Sequence, residues 1–232
     1  DYFSVKIEDA IVDTPLQFIL DQCYGQGNAS FCDFVVRRST AQGANSAGSL
    51  REVNNGPSNS GGIRTSGIDV TMSYIQGLSI GSNEFKLSLS GSYTHLISAY
   101  TVPLPGAATD HFKGEIGSAT DRFSTDFSIS NKSFKLSFSG TYIGVSYGDD
   151  QWTGAAAGTD SAYRIHPEFY LDTQLRFYAG DNTEVYVGAD NIFNTKPAYF
   201  GGTPDATTGQ DSDVGTYDPL GRRFYAGVKL RF

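Results

Sequence analysis

The final twelve residues, Gly221-Arg222-Arg223-Phe224-Tyr225-Ala226-Gly227-Val228-Lys229-Leu230-Arg231-Phe232, alternate in character to the very end. Phe232, Leu230, Val228, Ala226 and Phe224 share one parity; Arg231, Lys229, Gly227, Tyr225 and Arg223 share the other. Strand side chains point to opposite faces with period two, so this segment is a ribbon with an apolar side and a charged side. The charged side is unsuited to a packed core, and the unbroken apolar side needs an apolar medium. A transmembrane β-barrel supplies both, with lipid outside and water inside.

The same period marks seven earlier segments. Residues 2–11 set Phe3, Val5 and Ile7 against Ser4, Lys6 and Glu8, and 63–75 set Ile68, Val70, Met72 and Tyr74 against Asp69, Thr71 and Ser73. Residues 84–97 set Phe85, Leu87, Leu89 and Tyr93 against Lys86, Ser88, Ser90, Ser92 and Thr94. The fourth, 122–130, opposes Phe123, Phe127 and Ile129 to Ser124, Asp126 and Ser128; the fifth opposes Phe134, Leu136, Phe138 and Tyr142 to Lys135, Ser137, Ser139 and Thr141. The sixth, 165–178, puts Phe169, Leu171, Leu175 and Phe177 opposite Tyr170, Asp172, Gln174 and Arg176, and the seventh covers 184–194. Connections alternate between short (76–83, Asn131-Lys132, Gly180 to Thr183) and long (12–62, 98–121, 147–164, 195–220). Barrels of the outer membrane have tight periplasmic turns and extended extracellular loops. The expected fold is therefore all-β, an antiparallel transmembrane barrel with about eight strands present.

Phe85-Lys86-Leu87-Ser88-Leu89-Ser90-Gly91-Ser92-Tyr93 and Phe134-Lys135-Leu136-Ser137-Phe138-Ser139-Gly140-Thr141-Tyr142 are near-repeats, each with aromatics at both ends of its apolar face. Eight residues at about 3.3 Å each, tilted near 40°, span roughly 20 Å of membrane normal, close to the apolar band that aromatic girdles flank. A soluble sandwich with two similar hairpins is the plainer alternative. Hydrophobic residues make up 39% of the chain, with no apolar run near the ~20 residues of a membrane helix. The net charge of −8 and the lack of a basic cluster argue against a nucleic-acid partner. No signal peptide is legible, and Asp1-Tyr2-Phe3-Ser4 already reads as strand, so the chain is expected to begin within a longer protein.

Four stretches carry a resemblance to one family. They are Asp1-Tyr2-Phe3-Ser4-Val5-Lys6-Ile7-Glu8-Asp9-Ala10-Ile11, Arg64-Thr65-Ser66-Gly67-Ile68-Asp69-Val70, Asp190-Asn191-Ile192-Phe193-Asn194-Thr195-Lys196-Pro197 and Tyr217-Asp218-Pro219-Leu220-Gly221-Arg222-Arg223-Phe224-Tyr225. In this order and spacing the chain resembles the C-terminal third of TonB-dependent outer-membrane receptors, across residues 1–232. The resemblance implies one part of a closed barrel of about 22 strands, whose N-terminal plug, energy-coupling box and remaining strands have no counterpart here. It implies import of a siderophore, vitamin or oligosaccharide, energised by the TonB complex through the plug. Its expected partners are outer-membrane lipid and lipopolysaccharide, the missing plug and strands, and the barrel assembly machinery. That machinery reads a terminal aromatic strand, so Val228, Leu230 and Phe232 are the expected assembly signal. The competing reading is a self-contained eight-stranded outer-membrane barrel with a structural or adhesive role. Such narrow barrels fill their bore with long side chains, whereas the inward Ser, Thr and Gly here would underfill it.

Thr14-Pro15-Leu16-Gln17 has the form of a capping box, with Thr14 as N-cap, Pro15 at the first helical position and Gln17 reaching back. Leu16, Ile19, Leu20 and Cys23 then share a helix face, and Gly25 ends it. Cys23 and Cys32 lie in one long loop, and passage through an oxidising periplasm makes a disulfide between them the expectation. No cofactor, metal site or catalytic constellation is expected. His95, His111 and His166 have no metal-ligand spacing. Asp149-Asp150 and Asp211-Ser212-Asp213 read as solvated loop acids, with calcium the alternative. Gly61-Gly62 and Gly201-Gly202 lack a following helix and read as turns. Arg64 and Arg176 are expected in the lumen, each with a structural carboxylate. Substrate contacts, if sugar-like, would come from loop aromatics beside acids and amides: Tyr147, Trp152, Tyr163, Tyr199 and Phe200. Anchoring of those rings to lipopolysaccharide is the equally open alternative.

Overall fold

The computed structural model describes residues 1–102, 109–150, 154, 157–159, 163–180, 182–199 and 212–231. It has one eight-stranded sheet built from β1 (Tyr2–Asp13), β4 (Pro57–Ile80), β5 (Asn83–Val102), β6 (Asp121–Ser130), β7 (Phe134–Ile143), β10 (Glu168–Ala179), β11 (Thr183–Asp190) and β12 (Arg223–Leu230), hydrogen-bonded in that order. Two ribbons complete the strands among the described residues: β2 (Val35–Arg37) with β3 (Leu50–Val53), and β8 (Ser146–Tyr147) with β9 (Arg164–Ile165). The order is open, with β1 and β12 at the two edges and no pairing between them. No helix among the described residues is long and apolar enough to cross a membrane, which has no bearing on crossing by strands.

All eight periodic segments form sheet strands, and the boundaries shift for local reasons. The second reaches back to Pro57 and on to Ile80, so the connection expected over 76–83 contracts to Gly81-Ser82, with Gly81 at φ +62°. The seventh stops at Asp190 because Asn191 turns to φ +50°, a left-handed conformation that asparagine tolerates. At the Asn131 turn, its side-chain oxygen accepts from Ser133 and Phe134 N–H at 2.8 and 2.9 Å, which fixes the β6–β7 register.

The chain divides into two compact units, Asp1–Ser4 with Thr65–Ala99 and His111–Phe232, and Val5–Arg64 with Tyr100–Asp110. In the second unit, helix α1 (Leu16–Leu20) runs into a wider helical turn over Asp21–Gly25, and α2 (Ala29–Cys32) follows. The Cys23–Cys32 disulfide joins these helices. The capping box does not form. Pro15 takes the N-cap place in an extended conformation with no side-chain cap, and Gln17 turns forward to donate to Asp21 Oδ1 at 2.8 Å. That i to i+4 contact competes with reaching back to the N-terminus. The left-handed residue after the helical turn is Gly27, at φ +69°, and not Gly25. Phe18 and Phe31, and Phe31 and Phe34, pack at centroid distances of 5.6 and 6.3 Å, and Ile19 and Cys23 are buried. Arg64 lies 4.0 Å from Glu8, the carboxylate partner expected for it.

In the first unit, the pairings from β5 to β12 are antiparallel and in continuous register. Rungs therefore run straight across the sheet, and each rung belongs to one face. The apolar face carries an aliphatic rung, Leu87–Ile129–Leu136–Leu175–Val187–Ala226. Toward the long loops stands an aromatic rung, Tyr93–Phe123–Tyr142–Phe169. Toward the short turns stand Phe134 and Phe177 with Val185 and Val228, and Phe85 packs on Phe134 at 6.2 Å. This face is open: Tyr74, Val187, Val228 and Phe224 are 51%, 46%, 63% and 75% exposed.

Candidate functional site

The opposite face of the same strands is polar, and its side chains are tied to one another. Ser92 and Ser124 hydroxyls lie 2.7 Å apart, Thr94 donates to Asp69 at 2.6 Å, and Ser139 donates to Asp126 at 2.7 Å. Arg176 bonds Glu184 at 2.9 Å and Gln174 at 2.6 Å, so its expected carboxylate is present. Between β11 and β12 the ladder holds a reciprocal interlock. Tyr186 is paired with Gly227 and Tyr225 with Gly188. A Cβ added at either glycine would overlap the opposing ring, so each tyrosine lies flat over a residue that has no side chain. The two rings are 6.3 Å apart, Arg176 lies 5.9 Å from the Tyr186 centroid, and Tyr225 Oη accepts from Gln174 at 3.1 Å.

Among the described residues, two large cavities open on this face. One, of about 540 Å³, is walled by Ser88, Ser137, Asp126, Asp172, Gln174 and Tyr225 among others. The other, of about 500 Å³ and nearer the long loops, is walled by Ser92, Thr94, Ser124, Arg122, Thr141 and Phe112 among others.

The long connections and the strand ends next to them build the buried core of this unit. Ala119, Ile143, Ile165, Tyr170, Ala198 and Tyr217 pack together, with Ile116 against them. Burial pushes the Tyr217 phenol above its ordinary pKa, because the charged form would lose its water. The Asp190 to Thr195 stretch is a structural loop. Asn191, 1% exposed, donates to Thr195 O and accepts from Thr195 N–H, both at 2.8 Å, while its own N–H donates to Asp172 at 2.7 Å. Asn194 also takes a left-handed conformation and accepts from Arg222 N–H at 3.1 Å. Asp218 accepts from Leu220 N–H at 2.9 Å and lies 3.5 Å from Arg223. Both stretches that carried the family resemblance at this end are thus occupied in shaping loops.

Of the aromatic residues expected to meet substrate, Tyr147 and Tyr163 come together, since Tyr147 pairs with Arg164 and Gly148 N–H donates to Tyr163 O at 3.0 Å. Tyr199 is on another loop, 70% exposed beside buried Ala198. Trp152 and Phe200 lie outside the described residues, as do Asp211 and Phe232, while Val228 and Leu230 are exposed on the apolar face. One constellation escaped the sequence. His95 and Asp121 are directly paired across β5 and β6, with Nδ1 and Oδ1 2.7 Å apart, and Tyr93 donates to the same oxygen at 2.6 Å. The three residues span 28 positions and meet only through the strand register. His166, isolated in the sequence, contacts Arg164 at 3.1 Å.

No family model and no characterised protein sequence matches this chain.

Proposed function

We propose that this chain is part of a transmembrane β-barrel in the bacterial outer membrane and serves as the C-terminal barrel segment of a TonB-dependent receptor. Its cargo would be a siderophore, vitamin or oligosaccharide, drawn in with TonB energy coupling. The observation that carries this reading is the two-faced sheet of the first unit. Its apolar rungs are half-buried to exposed, with no buried member, while several side chains of its polar rungs are hydrogen-bonded to one another. A soluble sheet would bury the first and hydrate the second. Soluble monomers seldom leave more than a few hundred Å² of contiguous apolar surface uncovered, and lipid is the medium that a leucine, valine and phenylalanine face accepts. The two aromatic rungs lie eight residues apart on β7 and β10, roughly 20 Å of membrane normal at the usual tilt. Aromatic girdles sit at that spacing. The unpaired edges of β1 and β12 favour a wider barrel, because long bare edges invite aggregation and further strands would cover them.

Membrane flotation of cell envelopes and heat-modifiable gel mobility test the barrel. Recovery in the outer-membrane fraction with a heat-dependent shift is expected, and recovery in the soluble periplasm would overturn it. Cysteines placed on facing positions of β1 and β12 test its width. Efficient crosslinking within one chain would establish the self-contained eight-stranded alternative. Energised accumulation of a panel of siderophores, vitamins and oligosaccharides, with and without TonB, tests transport; accumulation unaffected by loss of TonB would refute the coupling.

A further inference from the structure

The polar face of the first unit is layered by charge. The rung Lys86–Ser130–Lys135–Arg176 carries three cations, of which Arg176 is neutralised by Glu184. Four residues along β7, the rung Ser90–Asp126–Ser139–Asp172 carries two carboxylates; a third, Asp190, follows the last β10–β11 pair, Thr173 with Ala189, and is paired with the cation Arg223. Between them runs an uncharged rung, Ser88–Ser128–Ser137–Gln174. The 540 Å³ cavity opens on all three, with Lys135 at one end and Asp126, Asp172 and Asp190 at the other.

The carboxylates sit on three different strands and do not bring one oxygen each within 4.8 Å of one another, so they do not form a site for a shared ion. Each retains acceptor capacity after its recorded bond: Asp126 with Ser139, Asp172 with Asn191 N–H, Asp190 with Arg223 at 3.4 Å. Spread in this way, they suit an ammonium group carried by a larger molecule. The charged rungs are four residues apart, about 13 Å along the strands. An extended peptide of about four residues covers that distance from amine to carboxylate. The serine hydroxyls, Gln174 and Tyr225 between the rungs offer both donors and acceptors to its amides. A neutral sugar would meet the hydroxyls and leave both charged rungs unanswered.

We propose that this trough binds short zwitterionic peptides of about four residues, amine toward Asp126, Asp172 and Asp190 and carboxylate toward Lys135. The assignment rests on the reading of this face as a barrel lumen and replaces the broad cargo list with one chemical class. Calorimetric titration of the membrane-inserted protein with tetraalanine tests it, alongside N-acetyl-tetraalanine, tetraalanine amide and maltotetraose. Tetraalanine should bind at least tenfold more tightly than either capped form. The D126N/D172N variant should lose discrimination against the acetylated peptide while keeping discrimination against the amide, and K135Q should do the reverse. Equal binding of capped and free peptides, no peptide binding, or preference for maltotetraose would each overturn the proposal. Flotation and heat-modifiable mobility of the same samples separate that failure from failure of the membrane reading, since an inserted barrel that ignores peptides refutes the cargo alone.

Discussion

Replacing Gly227 with alanine probes the interlock that fastens β12 to β11. The new methyl would occupy the space of the Tyr186 ring, which also holds contacts with Arg176 and Tyr225. Displacing a packed ring by overfilling costs about 1–3 kcal/mol. Against this, alanine narrows the unfolded chain and is worth roughly 0.4–1 kcal/mol when its backbone is unstrained; Gly227 has no positive φ, so that gain applies. The net expectation is a loss of about 1–2 kcal/mol. In a Tyr186→Ala background the ring is absent and the same substitution should stabilise by a few tenths to about 1 kcal/mol. The sign reversal, a coupling near 2 kcal/mol, is the signature. Guanidinium unfolding of the four proteins of the cycle in detergent micelles measures it. An equal cost for Gly227→Ala with and without Tyr186 would refute the interlock and leave the tyrosines as independent surface residues.

Val187→Lys, in the aliphatic rung, should destabilise the inserted protein by about 2–4 kcal/mol, while Ser137→Lys on the polar face should change it by far less; equal effects in vesicle unfolding would remove the distinction between the faces. Thiol labelling of denatured, non-reduced protein should find no free cysteine, and Cys23→Ser with Cys32→Ser should cost roughly 2–3 kcal/mol in the unit that holds them, as expected for a short closed loop. Because burial raises the Tyr217 pKa above 10.0, the unfolded chain releases that proton first as pH rises, so folding loses stability above about pH 10. Tyr217→Phe should flatten that loss in alkaline unfolding curves, and an unchanged slope would contradict it. Deleting Phe232 should lower the amount of inserted protein in pulse-chase assembly much more than it lowers unfolding stability, since one terminal aromatic side chain is worth only about 1–2 kcal/mol; the opposite result would make it a packing residue.

Period-two alternation is a local property, and so the sequence by itself determined the eight strands, which side of each is apolar, and the turns at Asn131 and Gly180. The cysteine pairing was equally legible, because one loop holds both thiols. Register lies beyond local pattern. His95 and Asp121 meet, Tyr186 lies over Gly227, and Asp126 and Asp172 share a rung only because backbone hydrogen bonds align residues far apart in the chain. The same holds for the buried core, where Tyr217, on a connection that carries no periodic signal, packs with Tyr170 of the strand Glu168–Ala179. Local competition decided the first helix, where Gln17 bonded forward to Asp21 and the cap its sequence promised was not made. Pattern fixes which face of a strand an atom lies on; only the pairing of strands fixes its neighbours, and the chemistry of the polar face depends on those neighbours.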